Sequence, residues 1–193
     1  MRVLTLYAHP VPDSFGAAIR DAAVEGLRAG GHEVDLADLY AEGFDPVMTE
    51  AERRGYHDPA FDRGAVQPWI DRLTAAEGLM IVSPVWNFGY PAILKGFFDR
   101  VFLPRVTFTI RDGRVAPGAV RMRRLGAAHS YGASRLGALW AGDPPRRFVC
   151  GVLPRLFRPE RRTRYLAIHS MNTAAAERRA RFLALVRAEM TRF

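Results

Sequence analysis

The chain holds 193 residues, 49% of them hydrophobic, with a formal net charge of +8 and a single cysteine. That length and apolar content exclude a disordered chain and suffice for a sizeable core, so one domain over residues 1–193 is expected. A lone thiol excludes an internal disulfide framework and fits a reducing, cytoplasmic setting. Residues 1–10 (MRVLTLYAHP) lack a signal-peptide apolar region and cleavage site, and no apolar run is long enough to span a bilayer.

Residues 2–8 (RVLTLYA) are β-prone and expected as a buried first strand. A loop with two prolines follows. Ser14 suits a helix N-cap, and residues 17–27 keep a helical pattern that Gly30 and Gly31 end. Residues 33–36 (EVDL) alternate as a second strand. Residues 38–67 are polar and mixed, expected as a lid or excursion with short helical pieces such as 49–55. A helix over 68–76 leads to a buried third strand at 79–83. Pro91, well placed for a first helical turn, opens an amphipathic helix over 91–102. Residues 106–115 read as a hairpin turning at Asp112-Gly113. A fourth strand at 124–130, a loop and helix start at 132–140, and a basic amphipathic stretch at 144–158 come next. A fifth strand at 165–169 and a closing helix at 174–190 complete the chain. Strands and helices alternate five times, which predicts a parallel sheet with helices on both faces.

Charge is uneven: residues 1–99 carry a net −7 and residues 100–193 a net +15. Lys95 is the only lysine; every other basic residue is arginine. Such asymmetry can mark an anionic partner, but no nucleic-acid motif accompanies it, so a solvated or interface face is expected instead. Peripheral contact with an anionic membrane stays compatible with it.

The chemistry-bearing stretches follow the strands. In open α/β sheets, ligands bind outside the carboxyl ends of the strands. After the third strand, Trp86, Asn87, Phe88 and Tyr90 suggest a flat aromatic ligand. After the first, neither a G-x-G-x-x-G nor a G-x-x-x-x-G-K-[ST] pattern occurs. Instead His9 and Ser14 precede a helix start. A hydroxyl and backbone N–H groups there form a phosphate site, or Ser14 merely caps the helix and His9 packs under the loop.

The loop HPVPDSFGA resembles the H-P-x-x-x-S-F-x-A loop of the NAD(P)H:quinone oxidoreductases of the flavodoxin-like fold. Pro84, Phe88, Gly89, Pro91, Ala92, Leu94, Lys95, Gly96, Asp99, Arg100, Val101 and Phe102 are similar to that family's P-x-x-x-F-G-x-P-A-x-L-K-G-x-x-[DE]-R-V-F. Asn87 after an aromatic resembles the related NADPH-dependent flavin reductases. The loop Ser130-Tyr131-Gly132-Ala133-Ser134 resembles T-x-G-[GA] after the fourth strand.

The resemblance implies a flavodoxin-like three-layer sandwich with a five-stranded parallel sheet of order 2-1-3-4-5. It implies an enzyme, an NAD(P)H dehydrogenase (quinone)-like flavoprotein, in which His9, Ser14, Phe15 and Ala17 hold flavin phosphates. Pro84, Val85, Trp86, Asn87 and Phe88 would line the isoalloxazine, and Ser130, Tyr131, Gly132 and Ala133 its pyrimidine edge. Tyr131 is the candidate to touch the ring or the acceptor. NADH or NADPH would donate electrons, and a quinone, nitro compound, azo dye or free flavin would accept them. The family forms homodimers whose sites the partner completes, here with residues 38–67 and the 91–102 helix as contributors.

The departures are specific. Gly16 stands where the quinone reductases usually carry Asn, Asn87 replaces a flavin-lining tryptophan, and His129 replaces a common Thr. The tyrosine and histidine that face the bound quinone have no counterpart here. Gly16 and the lack of an adenine pocket favour FMN over FAD.

Other chemistries carry less. His9, His129 and His169 near strand ends lack metal-ligand spacing, so no metal is expected. Cys150 reads as a buried, inert thiol. Ser83 and Ser134 lie outside any G-x-S-x-G elbow, which excludes that hydrolase class. Two other roles remain open: a flavin-binding regulatory subunit of a membrane transporter, or an electron carrier without turnover.

Overall fold

The computed structural model describes residues 1–193. In chain order it contains β1 (Arg2–Tyr7), α1 (Phe15–Ala29), β2 (Glu33–Asp38), α2 (Glu50–Arg54), α3 (Gln67–Ala75), β3 (Gly78–Val85) and α4 (Ala92–Val101). Then come β4 (Phe108–Arg111), β5 (Arg114–Pro117), β6 (Arg124–Tyr131), α5 (Arg135–Trp140) and α6 (Pro144–Arg147). A π-helical turn (Phe148–Val152), α7 (Leu153–Phe157), β7 (Arg164–Ile168), a 3-10 turn (Met171–Thr173) and α8 (Ala176–Thr191) close it. No helix is long and apolar enough to cross a membrane.

The main sheet is parallel, in the order β2-β1-β3-β6-β7. Counting only its own five strands, that is the expected 2-1-3-4-5. Alternation along each buried strand feeds two cores. On β3, Leu79 and Ile81 face one, and Met80 and Val82 the other. The first core packs under α3, α4 and the helical run from α6 to α7; the second packs under α1 and α8. A strand buried on both faces reads as a continuous apolar run, as residues 78–82 (GLMIV) do.

Two local features follow from special backbone. The β4–β5 hairpin turns at Asp112 (φ 50°) and Gly113 (φ 71°). Two left-handed residues make the primed turn whose twist suits a hairpin. The excursion after β2 is pinned back by α4: the half-hidden Glu52 accepts from Arg100 Nε at 3.1 Å, and Arg100 also donates to the Asp45 carbonyl. Arg100 is buried, and a buried charge persists only when paired and hydrogen-bonded. Glu52 also closes a capping box with Thr49 at the start of α2.

One expectation is overturned here. Cys150 is exposed, not buried, while the adjacent Val149 lies fully inside. Pro154 has no N–H to offer the Cys150 carbonyl, and the Leu153 N–H reaches back five residues to Phe148 instead. The widened turn breaks the regular 3.6-residue phase on which the buried reading relied.

Candidate functional site

The carboxyl ends of β1, β3, β6 and β7 surround an open cleft of about 620 Å³, large enough for a cofactor-sized ligand. His9, Phe15, Pro84, Val85, Trp86, Asn87, Phe88, Ser130, Tyr131, Gly132 and Ala133 all line it. They come from the last residues of β3 and β6, the loops that leave the strands and the first residue of α1, and β-strand register brings the strand ends level. Pro84 pairs with Ser130, and Val85 with Tyr131.

The first wall is the start of α1. Ser14 Oγ accepts from the Ala17 N–H at 3.2 Å, so the serine does cap the helix. The N–H groups of Phe15 and Gly16 meet no protein acceptor. Unpaired donors at a helix N-terminus attract anions, phosphate above all. Ala17, by contrast, is buried with its N–H engaged by Ser14, and neither Ala17 nor Ser14 lines the cleft. His9 Nδ1 accepts from the Val11 N–H at 3.0 Å, which leaves Nε2 as the donor of the neutral ring. The ring stands edge-on to Trp86 at 5.8 Å. A Cβ at Gly16 would come within 3.2 Å of the His9 ring, so the missing side chain makes room for the imidazole.

The second wall is a tight turn. Trp86 and Gly89 exchange both backbone hydrogen bonds, at 3.1 and 2.9 Å. The two residues between them, Asn87 (φ 49°) and Phe88 (φ 59°), are left-handed. Asn tolerates that conformation; a bulky aromatic does not, at a cost of about 1–2 kcal/mol. Strain of this kind clusters at ligand sites. Phe88→Gly is therefore expected to keep stability or raise it by up to about 1 kcal/mol, while weakening ligand affinity about 10-fold through the lost ring. Urea unfolding and ligand titration of the same variant check both halves.

The third wall rests on a buried polar network. Tyr131 is 1% exposed, and its hydroxyl donates to Asp143 Oδ1 at 2.7 Å and bonds the Tyr165 hydroxyl. Its ring stacks on His169 at 4.6 Å. Burial and these partners push the Tyr131 phenol far above its ordinary value, so it stays neutral. The hydroxyl is engaged by Asp143 and Tyr165, so a contact of Tyr131 with ring or acceptor falls to the rest of the residue, which lines the cleft. The 130–133 loop is held in turn by its Ala133 carbonyl, which accepts from the Ser170 N–H at 2.9 Å.

His129 lies beneath the cleft, 0% exposed, with Nδ1 at 3.2 Å from the Ser83 carbonyl and Nε2 without a partner. Burial lowers its pKa to about 4, against a weaker upward pull from the Ser83 bond. The sign is direct: between about pH 6.5 and 4 the unfolded chain binds a proton that the folded chain refuses. Stability therefore falls as pH drops through that window, by about 3 kcal/mol from this residue. Urea unfolding at pH 7 and pH 4.5 should show the loss, and His129→Asn should flatten it. No group of three or more His, Cys, Asp or Glu could hold a metal, and His9, His129 and His169 do not form one.

Sequence reasoning noted Gly16 at this loop but missed two further cleft residues, Met171 and Asn172. Both sit in the turn after β7. The strand-end rule used for the other loops would have reached them, had it been applied to the fifth strand.

A family model described as flavodoxin-like fold matches residues 1–142. Curated relatives include NAD(P)H dehydrogenase (quinone) 1 of Cavia porcellus, 36% identical over 124 residues, with 56% of this chain and 45% of that protein covered. An uncharacterized NAD(P)H oxidoreductase of Haemophilus influenzae is 31% identical over 114 residues, covering 58% of this chain and 56% of its own. The chain thus spans about half the length of the curated relatives it matches. The crystal structure of Smu.1420 from Streptococcus mutans UA159 superposes with a TM-score of 0.86 at 26% identity, covering 100% of both chains. With its sheet order, its three strand-end loops and this match over most of its length, the chain belongs to the flavodoxin-like fold family.

Proposed function

We propose that this protein is a flavin-dependent NAD(P)H oxidoreductase that passes two electrons to a quinone or similar acceptor. The observation that carries this is the cleft: free helix N-terminal N–H groups at one side and an exposed aromatic turn at the other. A flavin mononucleotide has a phosphate and a flat ring to match. The relatives named as quinone dehydrogenases and NAD(P)H oxidoreductases support the same reading.

The residues divide the work. The Phe15 and Gly16 N–H groups and the His9 Nε2–H would hold the phosphate, with Ser14 capping the helix behind them. Trp86 and Phe88 would shield the ring from water, and Asn87 would offer it an amide. Residues 130–133 would present backbone donors to its polar edge, where reduction builds charge. When bound, the flavin supplies the chemistry, accepting a hydride equivalent from NADH or NADPH and delivering electrons to the acceptor. The protein side is orientation and exclusion of water, with no side chain required as acid or base. FMN is the proposed form, because Gly16 offers no side chain toward an adenosine.

The working unit is proposed to be a cytoplasmic homodimer built on a single domain. A groove of about 590 Å³ beside the cleft is lined by Tyr90, Phe98, Phe102, Phe148 and Leu156, with Phe98 and Phe102 buried at its floor and the other three half-buried. On α5, Trp140 is 89% and Leu136 79% exposed. Apolar surface of this kind marks an interaction site, and a second copy seated there would help close the cleft. Sedimentation of the flavin-loaded protein tests the dimer. Steady-state oxidation of NADPH with a soluble quinone tests the reaction. A protein that keeps flavin yet never oxidises NADH or NADPH would belong with carriers or regulatory subunits instead.

A further inference from the structure

The edge strand β7 hydrogen-bonds only to β6, and none of its outward backbone groups meets another protein partner. In a parallel pair, alternate residues of an edge strand turn both N–H and C=O away from their neighbour. A groove of about 810 Å³ runs along this edge, with Arg164, Tyr165 and Leu166 of β7 among its lining. It continues into a second depression of about 300 Å³ that shares residues 161–164.

The charge of this groove is unbalanced. Arg164 is paired with Glu189 at 2.9 Å, and Arg124 with Glu160 at 3.5 Å. Arg146, Arg158, Arg161, Arg162 and Arg192 line the same two depressions with no carboxylate within 4.0 Å. All five are exposed. Much of the positive charge of the second half of the chain thus gathers around an unpaired strand edge, away from the cleft.

We propose that this groove binds an extended acidic peptide segment, which adds to β7 as a further strand. Main-chain hydrogen bonds to the edge would supply affinity, and carboxylates facing the unpaired arginines would supply specificity. Five residues of β7 match about 17 Å of extended chain. A single-stranded nucleic acid fits less well, because it needs free aromatic faces to stack on. Of the two aromatics here, Tyr165 has the Arg146 guanidinium over its ring at 5.8 Å and its hydroxyl bonded to Tyr131, and Phe193 is buried.

The test is fluorescence anisotropy with the full chain at about 50 mM salt, where electrostatic contacts are little screened. The probe is a labelled decapeptide of alternating Glu and Val. The expected result is saturable binding that falls at least about 10-fold in the double variant R161E/R162E and in the single variant R158E, with flavin retention unchanged. N-methylating alternate peptide nitrogens, which removes the strand donors, should cost a similar factor. Equal binding of the N-methylated peptide would overturn the strand-addition geometry. Tighter binding of a ten-residue oligothymidylate than of the peptide would make the groove a nucleic-acid surface. Self-association that R161E/R162E abolishes would make the occupant a second copy of this chain, and absence of any peptide binding would end the proposal.

Discussion

Replacing Gly132 with tryptophan is expected to abolish flavin retention, weakening binding at least about 100-fold, or close to 3 kcal/mol. Gly132 lines the cleft, and a Cβ built on it would meet only the Asn172 amide, at 3.6 Å. Its φ carries no left-handed constraint, so the backbone tolerates a side chain there. The indole would therefore enter the cleft rather than deform the fold. A thermal transition within a few degrees of the parent, with flavin fluorescence no longer quenched on titration, is the expected pair of results. Unchanged affinity would place the ligand elsewhere.

The largest stability loss from a single substitution at pH 7 is expected at Gly96, on the helix that follows the aromatic turn. A Cβ there would lie 2.3 Å from the Pro46 carbonyl oxygen and 2.5 Å from Pro46 Cα. Alanine gains about 1 kcal/mol of helix propensity over glycine. Overpacking against a backbone that cannot swing aside costs more, typically 1–3 kcal/mol and higher for hard contacts. The clash wins, and Gly96→Ala should lower stability by about 2 kcal/mol or more in urea unfolding. Gly137, also helical, provides the opposite case. Its nearest neighbour to a Cβ is Ser134 Oγ at 3.4 Å, so Gly137→Ala should gain up to about 1 kcal/mol. Loss at Gly96 would loosen the excursion that Arg100 holds from the same helix.

The strands, the Ser14 cap and the hairpin were legible because each rests on local chemistry, whereas the order of strands in the sheet followed from the family resemblance. Apolar runs of strand length, Ser14 before a helical pattern, and Asp112-Gly113 between β-prone flanks all act within a few residues. Most of the cleft was legible for a different reason: ligand loops in this architecture follow strand ends, so finding the strands finds the loops. What stayed hidden depends on contacts between distant residues. Nothing local says that Tyr131 will bond Asp143 and Tyr165, and only the fold reveals that its hydroxyl is engaged. The Arg100–Glu52 pair spans 48 positions and is equally silent in the chain. Cys150 was misread because a regular helical phase was assumed across a segment that Pro154 forces wide. The Ala17 N–H donates to Ser14 Oγ, a pairing that only the folded loop shows.

The His129 titration and the Phe88 substitution separate fold from function. One concerns a neutral ring sealed under the cleft, whose effect appears as stability against pH. The other concerns a strained ring at the cleft wall, where affinity should fall while stability holds. Together they ask whether the polar layer below the site and the aromatic turn beside it do different jobs, as their burial implies.

The decisive experiment is spectroscopic. The purified protein is mixed with excess FMN, desalted, and its visible spectrum recorded before and after anaerobic addition of NADPH. A retained yellow chromophore that bleaches is the expected result, since it demonstrates the cofactor and the reductive half-reaction in the same sample. A colourless protein after desalting would mean that the three loops keep the fold without its cofactor, and would contradict the proposed function at its root.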